Sequence, residues 1–322
     1  MTQIYGCYLK DERKLLKSSS GGVFTALSDA VLREEGTIIA CNYIYQNHEL
    51  RFEKTIDTEK RDQMRGSKYI QANPQNLYSL LSQEVNIDNG TPILVIGTPC
   101  QMAGAKAWIE TKRMKTNREI ILCELLCHGV SSSIIWKKYI ENIENEYSSK
   151  VEYITFKDKE KGWICPTAKV RLENQEVILT EDYAKLYRGD SFMRESCYHC
   201  KFSRIKRISD ISIGDFWGIE NIDPQFANLK GTSVVLVHSK IGEQLFQKAK
   251  EDMIVRKSNL EECVQQCMSF PVEKPKFFKD IHRDYERHNL DYIIQKYINF
   301  GPNGAILTKI RKKLFQIKYM KG

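Results

Sequence analysis

The sequence predicts an α/β protein: a mixed, largely parallel sheet with flanking helices, a small antiparallel lobe and a helical C-terminal region. Three observations predict it. A strand–loop–helix grammar recurs along the chain, as it does where crossover helices join parallel strands. The run Pro92-Ile-Leu-Val-Ile96 is continuously apolar, as expected of a strand buried on both faces. Residues 151–190 carry short alternating segments instead, which suit antiparallel strands.

The elements follow in order. Residues 18–22, Ser-Ser-Ser-Gly-Gly, make a small-residue turn, and the apolar spacing of residues 23–32 predicts an amphipathic helix. Residues 37–45 read as a strand. The strand at 92–96 ends in Gly97-Thr-Pro-Cys-Gln101, and residues 102–113 read as helical. The pattern repeats with a strand at 119–126, a loop at 127–133 and a helix at 134–144. It appears again as a strand at 232–238 and a helix from about residue 243. Residues 151–156 and 168–173 are the strands of the antiparallel lobe, and the last 60 residues are polar and mostly helical. The expected division is one domain over residues 1–280, with the lobe at 150–190 inside it, and a helical, basic extension over 281–322.

Composition bounds the function. With 42% hydrophobic and 28% charged residues the 322-residue chain is ordinary globular protein, which excludes a largely disordered one. No apolar run is long enough to span a bilayer, and the first residues lack a signal peptide, so the expected location is the cytoplasm. The net charge is 49 − 41 = +8. Residues 309–321 hold six Lys/Arg and no acid, which suits a solvated helix or peripheral contact with a membrane surface. A second basic cluster is Lys201, Arg204, Lys206 and Arg207. No groove-reading motif accompanies this charge, so nucleic acid is not an expected partner.

Ten cysteines in a reducing compartment are not expected to form disulfides. They remain as buried thiols, reactive thiols or ligands of a metal or cluster. Cys197-Tyr-His-Cys200 puts two thiols on one tight turn, and three readings stand: ligands, a redox dithiol, or structural thiols. Cys100 and Cys127 each follow a buried strand, where α/β sheets place ligands. Together these four match the number a cubane iron–sulfur cluster needs, although each of the two loop thiols also fits a plain buried thiol. Cys7, Cys41, Cys123, Cys165, Cys263 and Cys267 read as core or surface thiols; Cys263 and Cys267 have the i, i+4 spacing of a helix. The turn at Ser19, Ser20, Gly21 and Gly22, with Thr25 beyond it, suits either an anion cradle for a phosphate or flavin, or a simple helix cap. Arg65-Gly-Ser-Lys-Tyr69 is a second candidate of that kind.

In order, these motifs are Ser19–Leu27, Gly66-Ser-Lys-Tyr69, Gly97–Gln101, Cys127-His-Gly-Val-Ser131, Cys197-x-x-Cys200 and Asp210-Ile-Ser-Ile-Gly-Asp-Phe-Trp-Gly218. The ordered set resembles the beta subunits of coenzyme F-420 hydrogenases and dehydrogenases, whose relatives include 7-hydroxymethyl chlorophyll a reductases. The likeness covers about residues 4–280. It implies a flavin-dependent iron–sulfur oxidoreductase holding FAD and a 4Fe-4S cluster. By resemblance, Ser19, Ser20, Gly21, Gly22, Thr25, Ser67, Lys68, Tyr69, Thr98 and Gln101 surround the flavin, and Cys100, Cys127, Cys197 and Cys200 hold the cluster. The chain lacks the N-terminal ferredoxin segment of many relatives, so the expectation is an external ferredoxin-like electron carrier docking on Lys201, Arg204, Lys206 and Arg207. A small organic molecule is the expected hydride partner, in glycan-related metabolism by analogy with bacterial members, and a homo-oligomer is compatible with the sequence. The alternative is a non-catalytic zinc-binding interaction module built on Cys197 and Cys200.

Overall fold

A computed structural model describes residues 2–87, 89–112, 116–160, 162–164 and 167–299. Cys165 and the basic run 309–321 lie outside the described residues. The chain begins β1 (Gln3–Leu9), α1 (Glu12–Leu16), α2 (Val23–Leu32), β2 (Thr37–Ile44), β3 (Glu49–Thr55), α3 (Thr58–Gln63), β4 (Ala72–Asn73), α4 (Leu77–Val85) and β5 (Ile93–Gly97). It continues through α5 (Pro99–Lys112), β6 (Ile120–Leu125), α6 (Ser133–Tyr147), β7 (Val151–Asp158), β8 (Thr167–Leu172), β9 (Val177–Thr180) and α7 (Asp182–Arg188). The remainder is β10 (Ile211–Asp215), α8 (Ile219–Ile222), β11 (Ser233–Val237), α9 (Lys240–Ala249), β12 (Met253–Ser258), α10 (Leu260–Cys263), α11 (Phe278–Tyr285) and α12 (Leu290–Ile293).

One sheet runs β12-β1-β11-β10-β6-β5-β2-β3-β4, and β7-β8-β9 form a separate antiparallel sheet, the predicted lobe. The large sheet is mixed. Its centre, β2-β5-β6-β10, is parallel, while β11, β1 and β12 on one flank and β3 on the other pair antiparallel. The strand–loop–helix unit at β11 and α9 thus departs from the parallel grammar. Residues 216–232 return locally from β10 to its neighbour β11 without a crossover over the sheet, and that connection produces an antiparallel pair.

The continuous apolar strands are explained by helices on both faces. Ile38, Leu94, Ile96, Ile121 and Val235 face α2 and α9, meeting Leu27, Val31, Leu245 and Phe246. The alternate residues Ile39, Ile93, Val95 and Leu122 belong to the opposite core with α6 and the lobe strands, around the fully buried Trp136. Ile281 of α11 and Leu290 and Ile293 of α12 join this same core. Cys263 and Cys267 do not share a helix: α10 ends at Cys263, its cap Val264 is extended, and Cys267 sits in a separate 3-10 turn. No helix among the described residues is long and apolar enough to cross a membrane.

Candidate functional site

The parallel centre of the sheet brings the carboxyl ends of β5, β6 and β10 to one edge. Cys100, Cys127 and Asp215 stand there. Gly97-Thr-Pro-Cys-Gln101 folds as a helix start: Pro99 takes the first helical position, and the Gln101 Oε1 accepts the Thr98 N–H at 2.9 Å. Thr98 Oγ1 lies 3.2 Å from the Cys100 Sγ, and Cys100 is exposed.

Backbone contacts then tie the other motif loops to this edge. Ser131 bridges Ile70 on one side and Met193 on the other. Gln71 donates to Ser131 O at 3.0 Å, and Arg194 donates to Val130 O at 2.9 Å. The loop after Lys68, the loop after Cys127 and the turn before Cys197 therefore form one short ladder. The Ser67 N–H donates to Ser19 Oγ at 2.6 Å, which joins the Ser-Gly-Gly turn to the same assembly. Tyr187 stacks on Tyr69 with centroids 4.6 Å apart, and its hydroxyl donates to Gly129 O at 2.9 Å.

Cys100 from the first turn of α5, Cys127 from the loop after β6, and Cys197 and Cys200 from one turn meet as neighbours. Burial pushes the Cys127 thiol well above the usual thiol range, and the nearby thiols of Cys100, Cys197 and Cys267 push it further. Burial also raises Cys197, with Cys100 and Cys200 beside it. Cys267 is thus a fifth thiol at this place, and its separation in sequence gave no sign of that. Among the described residues no group of three or more His, Cys, Asp or Glu side chains is set to hold a single metal ion, so the thiols are neighbours rather than a closed ligand sphere. Cys7, Cys123 and Cys263 are buried apolar thiols.

One further feature fits an acceptor beside the thiols. The Arg207 guanidinium is 1% exposed, pairs with Glu124 at 3.3 Å, and among the described residues leaves Nε and one terminal nitrogen without a partner. Its charge acts on the Cys267 thiol. Arg207 is therefore no part of a surface patch, whereas Lys201, Arg204 and Lys206 are exposed. A cleft of about 380 Å³ is lined by Tyr198, His199, Val272 and Lys274.

The residues expected to contact a flavin divide. A Cβ on Gly21 would overlap Cys7 O and Ser233 N, and one on Gly22, at φ +83°, would overlap Leu9. Those glycines are demanded by the protein packing on itself. Ser20 Oγ donates to Thr232 O at 3.0 Å. Lys68 is partly buried and folds back on the carbonyls of Met64, Arg65 and Gly66, and desolvation brings its pKa down to about 8. Two groups are left over. Among the described residues, the Thr25 hydroxyl, fully buried in the first turn of α2, has no partner, nor has the buried Arg65 Nε. The N-terminus of α2 also lacks a side-chain cap. An unsatisfied hydroxyl at an uncapped helix start suits an anion.

The lobe supplies residues that no sequence motif marks. Lys157 of β7, 3% exposed, reaches Asp215 at 2.8 Å. Lys159 donates to Ser20 O at 2.7 Å and Leu15 O at 2.8 Å. Trp163 and Trp217 stack with centroids 4.9 Å apart and planes within 3°.

Known proteins share both the sequence pattern and the fold. Residues 90–262, or 173 of 322, match the family described as the C terminus of the coenzyme F420 hydrogenase/dehydrogenase beta subunit. The fold is similar to a chain of the F420-reducing [NiFe] hydrogenase complex from Methanosarcina barkeri, solved as a xenon derivative. The TM-score is 0.56 at 18% identity, over 94% of each chain. No curated protein matches the sequence.

Proposed function

The chain belongs to the coenzyme F420 hydrogenase/dehydrogenase beta subunit family, and from that premise we propose that it is a flavin- and iron–sulfur-dependent oxidoreductase. It exchanges electrons between a ferredoxin-like carrier and a small organic hydride donor or acceptor. The observation that carries the proposal is the meeting of Cys100, Cys127, Cys197 and Cys200 at the carboxyl edge of the sheet.

The chemistry of the donor groups suits both cofactors, although the four thiols are neighbours and not a closed ligand sphere. Four thiols without a carboxylate among them are the soft donor set that a cubane takes. The two partnerless Arg207 nitrogens suit hydrogen bonds to sulfur, which tune such a centre. The Thr25 hydroxyl in the uncapped first turn of α2 suits a phosphate of FAD. Once bound, the two cofactors would convert one-electron transfers into a two-electron hydride exchange, chemistry that belongs to them and not to side chains. The chain's own work is positional. The Ser131 ladder ties the thiol-bearing segments together, the Thr98 hydroxyl steadies the Cys100 sulfur, and the stacked Tyr69 and Tyr187 hold the Gly129 loop in place.

Low-temperature EPR of dithionite-reduced protein tests this. Wild type is expected to give a reduced-cluster signal, and Cys197→Ser and Cys200→Ser are expected to lose it together with most of their iron. Full iron and an unchanged signal in both variants overturn the ligand assignment.

A further inference from the structure

The edges of the two sheets are not alike. A strand edge exposes unpaired N–H and C=O groups, and proteins normally blunt it with charge, bulges or brevity. The large sheet ends in β12, which carries Arg256 and Lys257, and in the two-residue β4. The lobe's β7 edge has two register shifts and the buried Lys157. β9 carries no charge and no bulge. Its four residues, Val-Ile-Leu-Thr, pair regularly with β8, and no strand among the described residues pairs with its other side. The hairpin fixes which way its backbone points. The Leu172 N–H donates to Glu176 O at 2.9 Å, so by antiparallel alternation Ile178 and Thr180 bond to β8. The N–H and C=O of Val177 and Leu179 therefore face outward. Their side chains are 52% and 40% exposed, while Ile178 packs on the core.

We propose that β9 pairs antiparallel with β9 of a second copy of this chain, Val177 opposite Leu179 about a two-fold axis at Ile178, so that the two lobes share one continuous sheet. A two-fold contact must match a surface to itself, and this strand does. In this register Val177 of each copy meets Leu179 of the other, and both pairs are of the hydrogen-bonded kind, so every outward N–H and C=O of these residues finds a partner. Ile178 meets its own counterpart on the core side. Glu176 falls opposite Thr180 and Gln175 opposite Glu181, so no charge opposes its like. The cations beside β9, Lys169 and Arg171 on β8, stand three strand spacings apart across the axis. That is about 14 Å, beyond the screening length of roughly 8 Å. The neighbouring registers are worse. An axis at Leu179 sets Val177 against Glu181, and an axis at Val177 sets Leu179 against Gln175. The contact needs neither cofactor.

Sedimentation velocity of the full chain as purified, from about 1 to 100 µM, tests the proposal. Wild type is expected to dimerise within this range. Val177→Glu and Leu179→Lys change exposed side chains, and circular dichroism checks that each variant stays folded. Each alone is expected to weaken the dimer by about tenfold or more, because a charge then faces an apolar residue and loses water. An equimolar mixture of the two variants is expected to regain much of the association. It sets the introduced carboxylate against the introduced ammonium in one pair and leaves the other pair as in wild type. Wild type that stays monomeric throughout overturns the proposal, as does a dimer that both variants leave unchanged. A mixture no stronger than its components overturns the register, and with it the two-fold pairing at Ile178.

Discussion

Lys159 shows how a residue that looks solvated in sequence becomes consequential in the fold. It belongs to Lys157-Asp-Lys-Glu-Lys161, a charge run of the kind that usually faces water. Only the return of β7 toward β10 turns Lys157 and Lys159 inward, and nothing local announces it. The thiols were more legible, because Cys-x-x-Cys and two strand-end cysteines keep their chemistry whatever surrounds them. Cys267 was not, since its nearness to Cys127 is purely tertiary. A pH dependence follows for Lys159. Its folded pKa of about 7 lies below the ordinary lysine value of 10.5, so between these values the unfolded chain binds more protons and stability rises with pH. The burial penalty is fully present below pH 7 and gone above about pH 10.5. Melting curves of wild type and Lys159→Met from pH 6.5 to 9.5 should therefore shift in favour of wild type as pH rises, by on the order of 2 kcal/mol. Curves that stay parallel refute a depressed Lys159.

Among the elements, α2 was predicted over its full observed span, residues 23–32, because its apolar period and the small-residue turn agree. The purpose of that turn was not legible. Two glycines signal close approach, but the sequence does not say to what, and here it is Cys7, Leu9 and Ser233 of the neighbouring strands. Gly21→Ala is accordingly expected to destabilise the β1–β11 edge and cannot isolate a ligand effect. Thr25→Val can. Removing a buried hydroxyl that has no partner should leave the free chain equally stable or more so by about 1 kcal/mol. If that hydroxyl serves the flavin, the same variant should lose flavin on gel filtration. Retention equal to wild type at unchanged stability refutes its role. The direction of β11 was hidden for another reason: a buried strand is equally apolar whether it runs parallel or antiparallel, so only its connection decides.

For the molecule as a whole, the α/β layers and separate lobe followed from periodicity, whereas the convergence of loops at one edge depends on strand order, which periodicity does not contain. That edge continues outward into Lys201, Arg204 and Lys206, exposed next to the Cys197–Cys200 turn, with Ile205 half exposed among them. An acidic electron carrier would meet this surface close to the thiols, and such an encounter is screened over about 8 Å at physiological ionic strength. Stopped-flow reduction by a ferredoxin should slow with salt, and Arg204→Glu/Lys206→Glu should lower both the rate, by about tenfold, and the salt slope. An unchanged rate and slope place docking elsewhere.

The central claim, that four converging thiols and the start of α2 hold redox cofactors, is tested most directly by anaerobic purification. Absorption spectra are recorded and iron, sulfide, zinc and flavin are counted per chain. The account predicts brown protein with about four iron atoms, matching sulfide and one flavin. Colourless protein with stoichiometric zinc and no flavin would contradict it.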